Sequence, residues 1–311
     1  MALVDARAHL NLPMPQRGSK SRRRRWLVLL IHLLGRMPLP VLYGISNALF
    51  VLLYFVLRMQ RKLVLDNIRG AFPDLAPGIR KRIAARSYRN TLDVLLESIK
   101  AQTLTPRQLA DRVVIENPQL IYDLLKDHPT VVVAAAHQGN WEWMQLACAA
   151  QLDIRIATLY KPVSHTDLDA QLQALRRRFG TTLIAAGGSL GGLARFAHAG
   201  GVVAVLADQG PRADEDQYWS CFLGRETAFY PGLEKLIRLL RAPLVFIHMQ
   251  RTGRGRYRLR LQRLAEAAGP NGDYTMMERY IRCVEAQVRA APEDWLWAYK
   301  RWKYQRPDTT E

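Results

Sequence analysis

Hydrophobic positions change their spacing twice along the chain. They are nearly continuous from Trp26 to Leu34 and from Val41 to Leu57, with Gly35-Arg36-Met37-Pro38 between. From Ile79 to Gln102 they take helical spacing, with Ile83, Tyr88, Leu92, Leu95 and Ile99 near one face. Thr105 to Ala110 reads as a helix with Pro106 at its first position, Val113 to Glu116 as a short strand, and Pro118 to Asp127 as a helix. Short apolar runs then alternate with helical segments. Strands are expected over Thr130–Ala136, Ile154–Tyr160, Thr182–Ala185, Val202–Ala207, Leu244–Gln250 and Tyr257–Leu264. Helices are expected over Trp141–Ala150, Asp167–Phe179, Leu190–His198, Pro231–Arg241 and Tyr274–Ala290. The wholly apolar Thr130–Ala136 run is that of a buried parallel strand. The alternation predicts an α/β fold: a mostly parallel central sheet flanked by helices.

No internal repeat is visible, and no boundary divides the chain after Gln102. The expected organisation is a basic tail over 1–25, an apolar membrane-anchoring helical segment over 26–62, and a folded domain over 63–311. The basic cluster Arg22–Arg25 comes late, and no small-residue cleavage signal follows the second apolar run, so a signal peptide is disfavoured. Val41–Leu57 is near the minimum length for crossing a hydrocarbon core. A single spanning helix, a hairpin dipping into one leaflet and a pair of buried core helices all fit. Basic residues at both ends favour one-sided attachment to a cytoplasmic leaflet, where each adds about 1 kcal/mol of attraction to anionic lipid.

Charge changes the picture further. The 311 residues carry a formal +18, which predicts an anionic partner: nucleic acid, acidic lipid or an acidic protein. The three cysteines, Cys148, Cys221 and Cys283, have no metal-ligand spacing and read as free thiols of a reducing compartment.

The chemistry concentrates in Val131-Val-Val-Ala-Ala-Ala-His137-Gln-Gly-Asn-Trp-Glu142. His137 follows a buried strand, Gly139 permits a tight turn, Asn140 is a good helix cap and Glu142 falls in the next helix's first turn. In α/β sheets ligands bind beyond the carboxyl ends of the strands. An imidazole titrates near neutrality and can take a hydroxyl's proton, and a carboxylate on its other nitrogen fixes the tautomer. Free N–H groups at the helix start can hold an oxyanion. The competing reading is a structural histidine and an acidic residue that favours the helix dipole.

His137-Gln-Gly-Asn-Trp-Glu142 resembles the H-x-x-x-x-[DE] signature of glycerolipid acyltransferases, and its glutamate form is similar to that of the bacterial lipid A late acyltransferases. Downstream, Tyr160-Lys161-Pro162, Arg176-Arg177-Arg178, Ala207–Arg212, Cys221-Phe222-Leu223-Gly224, Ala291–Trp297 and Arg301-Trp302-Lys303 resemble segments of that family, in order, from about Phe50 to Pro307. Lys161 replaces the family's arginine, and Gln209–Ser220 departs from its pattern. The resemblance implies a glycerol-3-phosphate acyltransferase-like fold, His137 as general base with Glu142 as its partner, and Arg176 and Asp208 in the site. Asp208 also follows a buried strand on His137's sheet edge. Arg176 would hold a phosphate of the carrier or acceptor. Asn140, Lys161 and Arg212 are further candidates for substrate binding or support. Trp295, Trp297 and Trp302 read as packing residues, and His165 and His198 as structural or exposed.

The expected activity is transfer of a fatty acyl chain from an acyl thioester to a lipid hydroxyl, through a ternary complex. Acyl carrier protein is the favoured donor carrier over coenzyme A. A lipid A precursor is the favoured acceptor, with another bacterial lipid such as a lysophospholipid as the alternative. No metal or cofactor is expected, and the expected place is the cytoplasmic face of a bacterial inner membrane. A nucleic-acid-binding role lacks zinc-finger, RRM and KH signatures and leaves the apolar runs unexplained. A serine hydrolase lacks its Gly-x-Ser-x-Gly elbow.

Overall fold

The computed structural model describes residues 28–162, 166–186, 190–265 and 274–306. The basic tail, the Arg22–Arg25 cluster and His165 lie outside them. A seven-stranded sheet in the order β1-β9-β8-β2-β5-β3-β4 forms the centre. Its strands are β1 Val113–Ile115, β2 Thr130–Ala135, β3 Ile156–Tyr160, β4 Thr182–Ala185, β5 Gly201–Leu206, β8 Leu244–Gly253 and β9 Arg256–Ala265. All neighbours are parallel except β8 and β9, which form an antiparallel hairpin. The mostly parallel α/β sheet expected from the pattern is therefore present.

Strand β2 is buried at every position, as its unbroken apolar run requires. Its alternate side chains feed two separate cores. Val131, Val133 and Ala135 pack with helices α6 (Gln119–Asp127) and α7 (Trp141–Gln151) on one face. Val132 and Ala134 pack with α9 (Leu190–His198), α10 (Gly232–Leu240) and α11 (Thr275–Ala290) on the other. Helix α8, Thr166–Arg176, stops three residues short of the expected Phe179. Helix α3, Arg61–Ala71, and the antiparallel strands β6 Tyr218–Phe222 and β7 Arg225–Phe229 were not legible in the pattern. The tight turn between β6 and β7 has Leu223 and Gly224 at φ 53° and 73°.

The apolar N-terminal segment forms helix α1, described over 28–36, and α2, Leu39–Phe50, which runs on as a π-helical stretch over Val51–Val56. Leu39–Val56 is apolar and long enough to cross a membrane by length and composition, and only 22% of it is buried. Its outward face is apolar, with Val51, Leu52, Phe55 and Val56 exposed. Its inward face buries Leu39 and Leu42 in the core and adds two polar contacts. Tyr43 donates to Glu97 (2.8 Å) and Ser46 to Asp93 (2.6 Å), both on α4, Pro77–Lys100.

Asp93 is 1% exposed and also accepts from Arg251 (2.8 Å) and Arg254 (2.9 Å), joining α4 to the β8–β9 turn. Burial alone raises a carboxyl's pKa, but these donors hold that of Asp93 below its usual range. Asp93→Ala strands the Arg251 guanidinium in the interior, and should lower unfolding free energy by about 3–5 kcal/mol. Ser46→Ala removes one neutral donor and should cost about 1 kcal/mol. Denaturant titration of both variants measures the difference, and equal losses contradict it.

Candidate active site

Strand pairing sets the site. β2 and β5 run parallel and in register up to Ala135↔Leu206. Extending that register by two residues puts His137 opposite Asp208. The Tyr280 hydroxyl, on α11, clamps the end of the ladder: it donates to the Ala135 carbonyl (2.8 Å) and accepts from the Ala207 N–H (3.2 Å). His137 Nδ1 then lies 2.7 Å from Asp208 Oδ1, while the His137 backbone N–H donates to Oδ2 at 3.0 Å.

Asp208 is 2% exposed and takes a third donor, the Trp295 indole N–H at 2.9 Å. Burial pushes its carboxyl up, but the imidazole beside it and these N–H donors outweigh burial and hold it below the ordinary carboxylate range. An ionised carboxylate only accepts, so Nδ1 is the nitrogen that donates to it, and in the neutral ring the lone pair is on Nε2. The ring also meets Trp141 edge to face at a centroid distance of 5.1 Å.

The turn after His137 is fixed from the far end of the chain. Residues 294–296 lie against it like a short added strand. Gly139 N–H donates to Asp294 O (2.9 Å), Leu296 N–H donates to His137 O (3.1 Å), and Gln138 bridges Trp295. Gly139 has φ 62°, and a Cβ there would meet Met249 Sδ at 3.0 Å. The left-handed conformation strains any larger residue there, and Met249 would have to shift to admit a Cβ. Ser87, Asn90 and Asn67 hold the C-terminal segment through its carbonyls at Trp295, Glu293 and Trp297.

The expected His137–Glu142 contact is replaced by another pairing. Glu142, in the first turn of α7, points toward the end of α8 and takes Arg176 in a two-pronged ion pair, with Nε to Oε2 at 3.0 Å. A side chain at that position leaves the sheet rim sideways, whereas the residue opposite His137 comes from the neighbouring strand. Burial weakens the Arg176 charge, and Glu142 more than restores it, raising the pKa.

Asn140 is fully buried and caps α7. Its Oδ1 accepts the Trp143 N–H (2.9 Å), and its amide donates to Glu97 (2.8 Å), which Tyr257 also bonds (2.7 Å). Lys161 lies on the rim, paired with Glu215 at 2.8 Å. Arg212 is exposed and outside the cavity lining. His198 is exposed. The site roles of Trp295 and Tyr280 were not read from the sequence, because each depends on a contact across the fold.

His137, Glu142 and Arg176 line a cavity of about 660 Å³ whose walls are mostly apolar. That size suits a ligand of a few dozen atoms. The fold and site define an α/β protein with a histidine–carboxylate pair on its sheet rim, opening into an apolar cavity. The chain belongs to the bacterial lipid A biosynthesis acyltransferase family, whose model matches residues 17–304. No individual curated protein matches it. Membership makes it an enzyme that transfers acyl groups in lipid A biosynthesis.

Asp294, whose carbonyl anchors Gly139, has a side-chain carboxyl pushed up to about 6, chiefly by burial. A carboxyl raised above its unfolded value favours the fold while protonated, and that contribution is lost as pH rises from about 4 to about 6. Asp294→Asn removes this loss. The melting temperature of the variant relative to wild type should therefore rise between pH 4 and pH 6.5. A pH-independent difference contradicts the assignment.

Proposed function

We propose that this protein transfers a fatty acyl chain from an acyl thioester to a hydroxyl of a lipid A precursor, with His137 as general base and Asp208 as its partner. The observation that carries this is the 2.7 Å His137–Asp208 contact, with His137 in the lining of an apolar cavity. His137 Nε2 removes the proton of the acceptor hydroxyl as its oxygen bonds to the thioester carbonyl carbon. The buried Asp208 carboxylate stabilises the imidazolium that results. Collapse of the tetrahedral intermediate breaks the C–S bond, and the imidazolium returns the proton to the departing thiolate. The products are an ester and a free thiol, so atoms and charge balance without metal or nucleotide.

In this reading the Trp141 and Glu142 N–H groups at the start of α7 and the Arg176 guanidinium are the donors for the charge that develops on the carbonyl oxygen. Glu142 orients Arg176, which assigns the motif glutamate a positioning role. Direct transfer in a ternary complex fits better than an acyl-enzyme. Cys148 is the thiol in the cavity lining, and burial pushes its pKa to about 12, far from a thiolate at neutral pH.

The +18 charge suits acyl carrier protein, an acidic donor carrier, through steering. The outward apolar face of α1 and α2, followed by Arg58, Arg61 and Lys62, suits insertion into a bilayer with basic residues at the headgroups. In this reading the enzyme works at the cytoplasmic face of the inner membrane.

The test incubates purified protein in detergent with dodecanoyl-acyl carrier protein and a lipid A precursor and follows the lipid by mass spectrometry. The expected product is heavier by one dodecanoyl group. His137→Ala should slow its formation by about 10²–10⁴. A wild-type rate in that variant, with folding confirmed, contradicts the mechanism.

A further inference from the structure

Glu97, on α4, is fully buried and joins three other elements through one side chain. Its Oε1 accepts the Tyr43 hydroxyl of α2 (2.8 Å). Its Oε2 accepts the Tyr257 hydroxyl of β9 (2.7 Å) and the Asn140 amide (2.8 Å). Its main-chain carbonyl takes the Trp143 indole N–H, at 2.8 Å. Burial pushes the Glu97 carboxyl up, against the pull of these donors. A carboxyl is costly to bury, and an apolar side chain would fill the same space at less cost. What an apolar side chain cannot do is orient Asn140.

The Asn140 amide has two unlike ends. Glu97 accepts from the NH2 end, which leaves Oδ1 for the Trp143 N–H at 2.9 Å. Reversed, the amide would set NH2 against that N–H, and α7 would lose its cap. The cap takes the third N–H of α7 and leaves the first two, on Trp141 and Glu142, without a partner inside the helix. Glu97 therefore grips the first turn of α7 twice, through Asn140 and through the Trp143 indole.

We infer that Glu97 is a positioning residue for acyl transfer, fixing the first turn of α7 through Asn140, and that Tyr43 makes α2 part of this support. This rests on the acyl-transfer reading above, in which that turn carries the oxyanion donors and the glutamate that orients Arg176. Such donors act most strongly when charge develops on the carbonyl oxygen. A small displacement of the turn therefore falls on kcat and not on KM.

Two comparisons test it, each reading kcat and KM for thiol release from dodecanoyl-acyl carrier protein, with and without lipid acceptor. The first uses α2. Tyr43→Phe and Ser46→Ala each take one hydroxyl from a buried carboxyl, that of Glu97 or that of Asp93. Both should lower the melting temperature, but only Tyr43→Phe should lower kcat, several-fold, with KM unmoved. The second comparison reverses a sign. Asn140→Asp sets a second carboxyl against Glu97 and should lower kcat about tenfold or more. Adding Glu97→Gln supplies an amide that donates to the new carboxyl, which still caps the Trp143 N–H. The double variant should recover about tenfold in kcat. On the wild-type background Glu97→Gln should lower kcat, because one acceptor position becomes a donor. Glu97→Gln that lowers kcat on both backgrounds overturns the assignment. So do losses that fall on KM, or a Ser46→Ala variant that loses kcat as Tyr43→Phe does. Thiol release that follows the expected pattern while no lipid product forms keeps the assignment and removes the acceptor named above.

Discussion

The register between β2 and β5 is the constraint on which the site depends. Two parallel strands that end level with one another place the next residues face to face, and here those residues are a histidine and an aspartate. A one-residue slip would turn every β2 side chain to the opposite core and carry His137 away from Asp208. That slip is opposed on both faces, since β2 is buried at every position. Tyr280 adds a local lock where the ladder ends, by bonding both strands.

A second set of contacts keeps the turn rigid. Asp208 would be costly to bury as an anion without its three N–H donors, two from His137 and one from Trp295. Trp295 belongs to a segment that is itself pinned by α3 and α4, so the last part of the chain completes the site begun at residue 137. Behind the turn, Asn140 reaches Glu97, and Glu97 also takes the Tyr43 hydroxyl from α2. The apolar N-terminal helix and the start of α7 thus share one buried carboxylate. Packing of Leu39 and Leu42 together with these hydrogen bonds holds the helix from its inward side, which leaves its exposed apolar face free for an apolar surrounding.

Much of the fold was legible in the residues. The alternation of apolar runs and helical spacing gave the α/β sheet, because a strand buried on both faces must be apolar throughout. His137 stood out as a residue just past such a strand. Its partner did not, because Glu142 is near in sequence and Asp208 is near only through the pairing of strands that are not consecutive. Local spacing favours the wrong carboxylate in such a case. The β6–β7 hairpin escaped for a different reason. Its strands carry Ser220, Cys221 and Thr227 among aromatics, and its turn has a leucine where asparagine or glycine usually marks the bend. The early end of the β3–β5 pairing, at Thr158↔Ala204, has no counterpart in the pattern, since both runs remain largely apolar past it.

The central claim is that Asp208, and not Glu142, holds the proton on His137 Nδ1. Nuclear magnetic resonance of protein labelled with 15N in histidine reads that proton directly as a downfield signal coupled to the ring nitrogen. The account predicts that the signal persists in Glu142→Gln and disappears or moves strongly upfield in Asp208→Asn. Persistence in Asp208→Asn with loss in Glu142→Gln would contradict it.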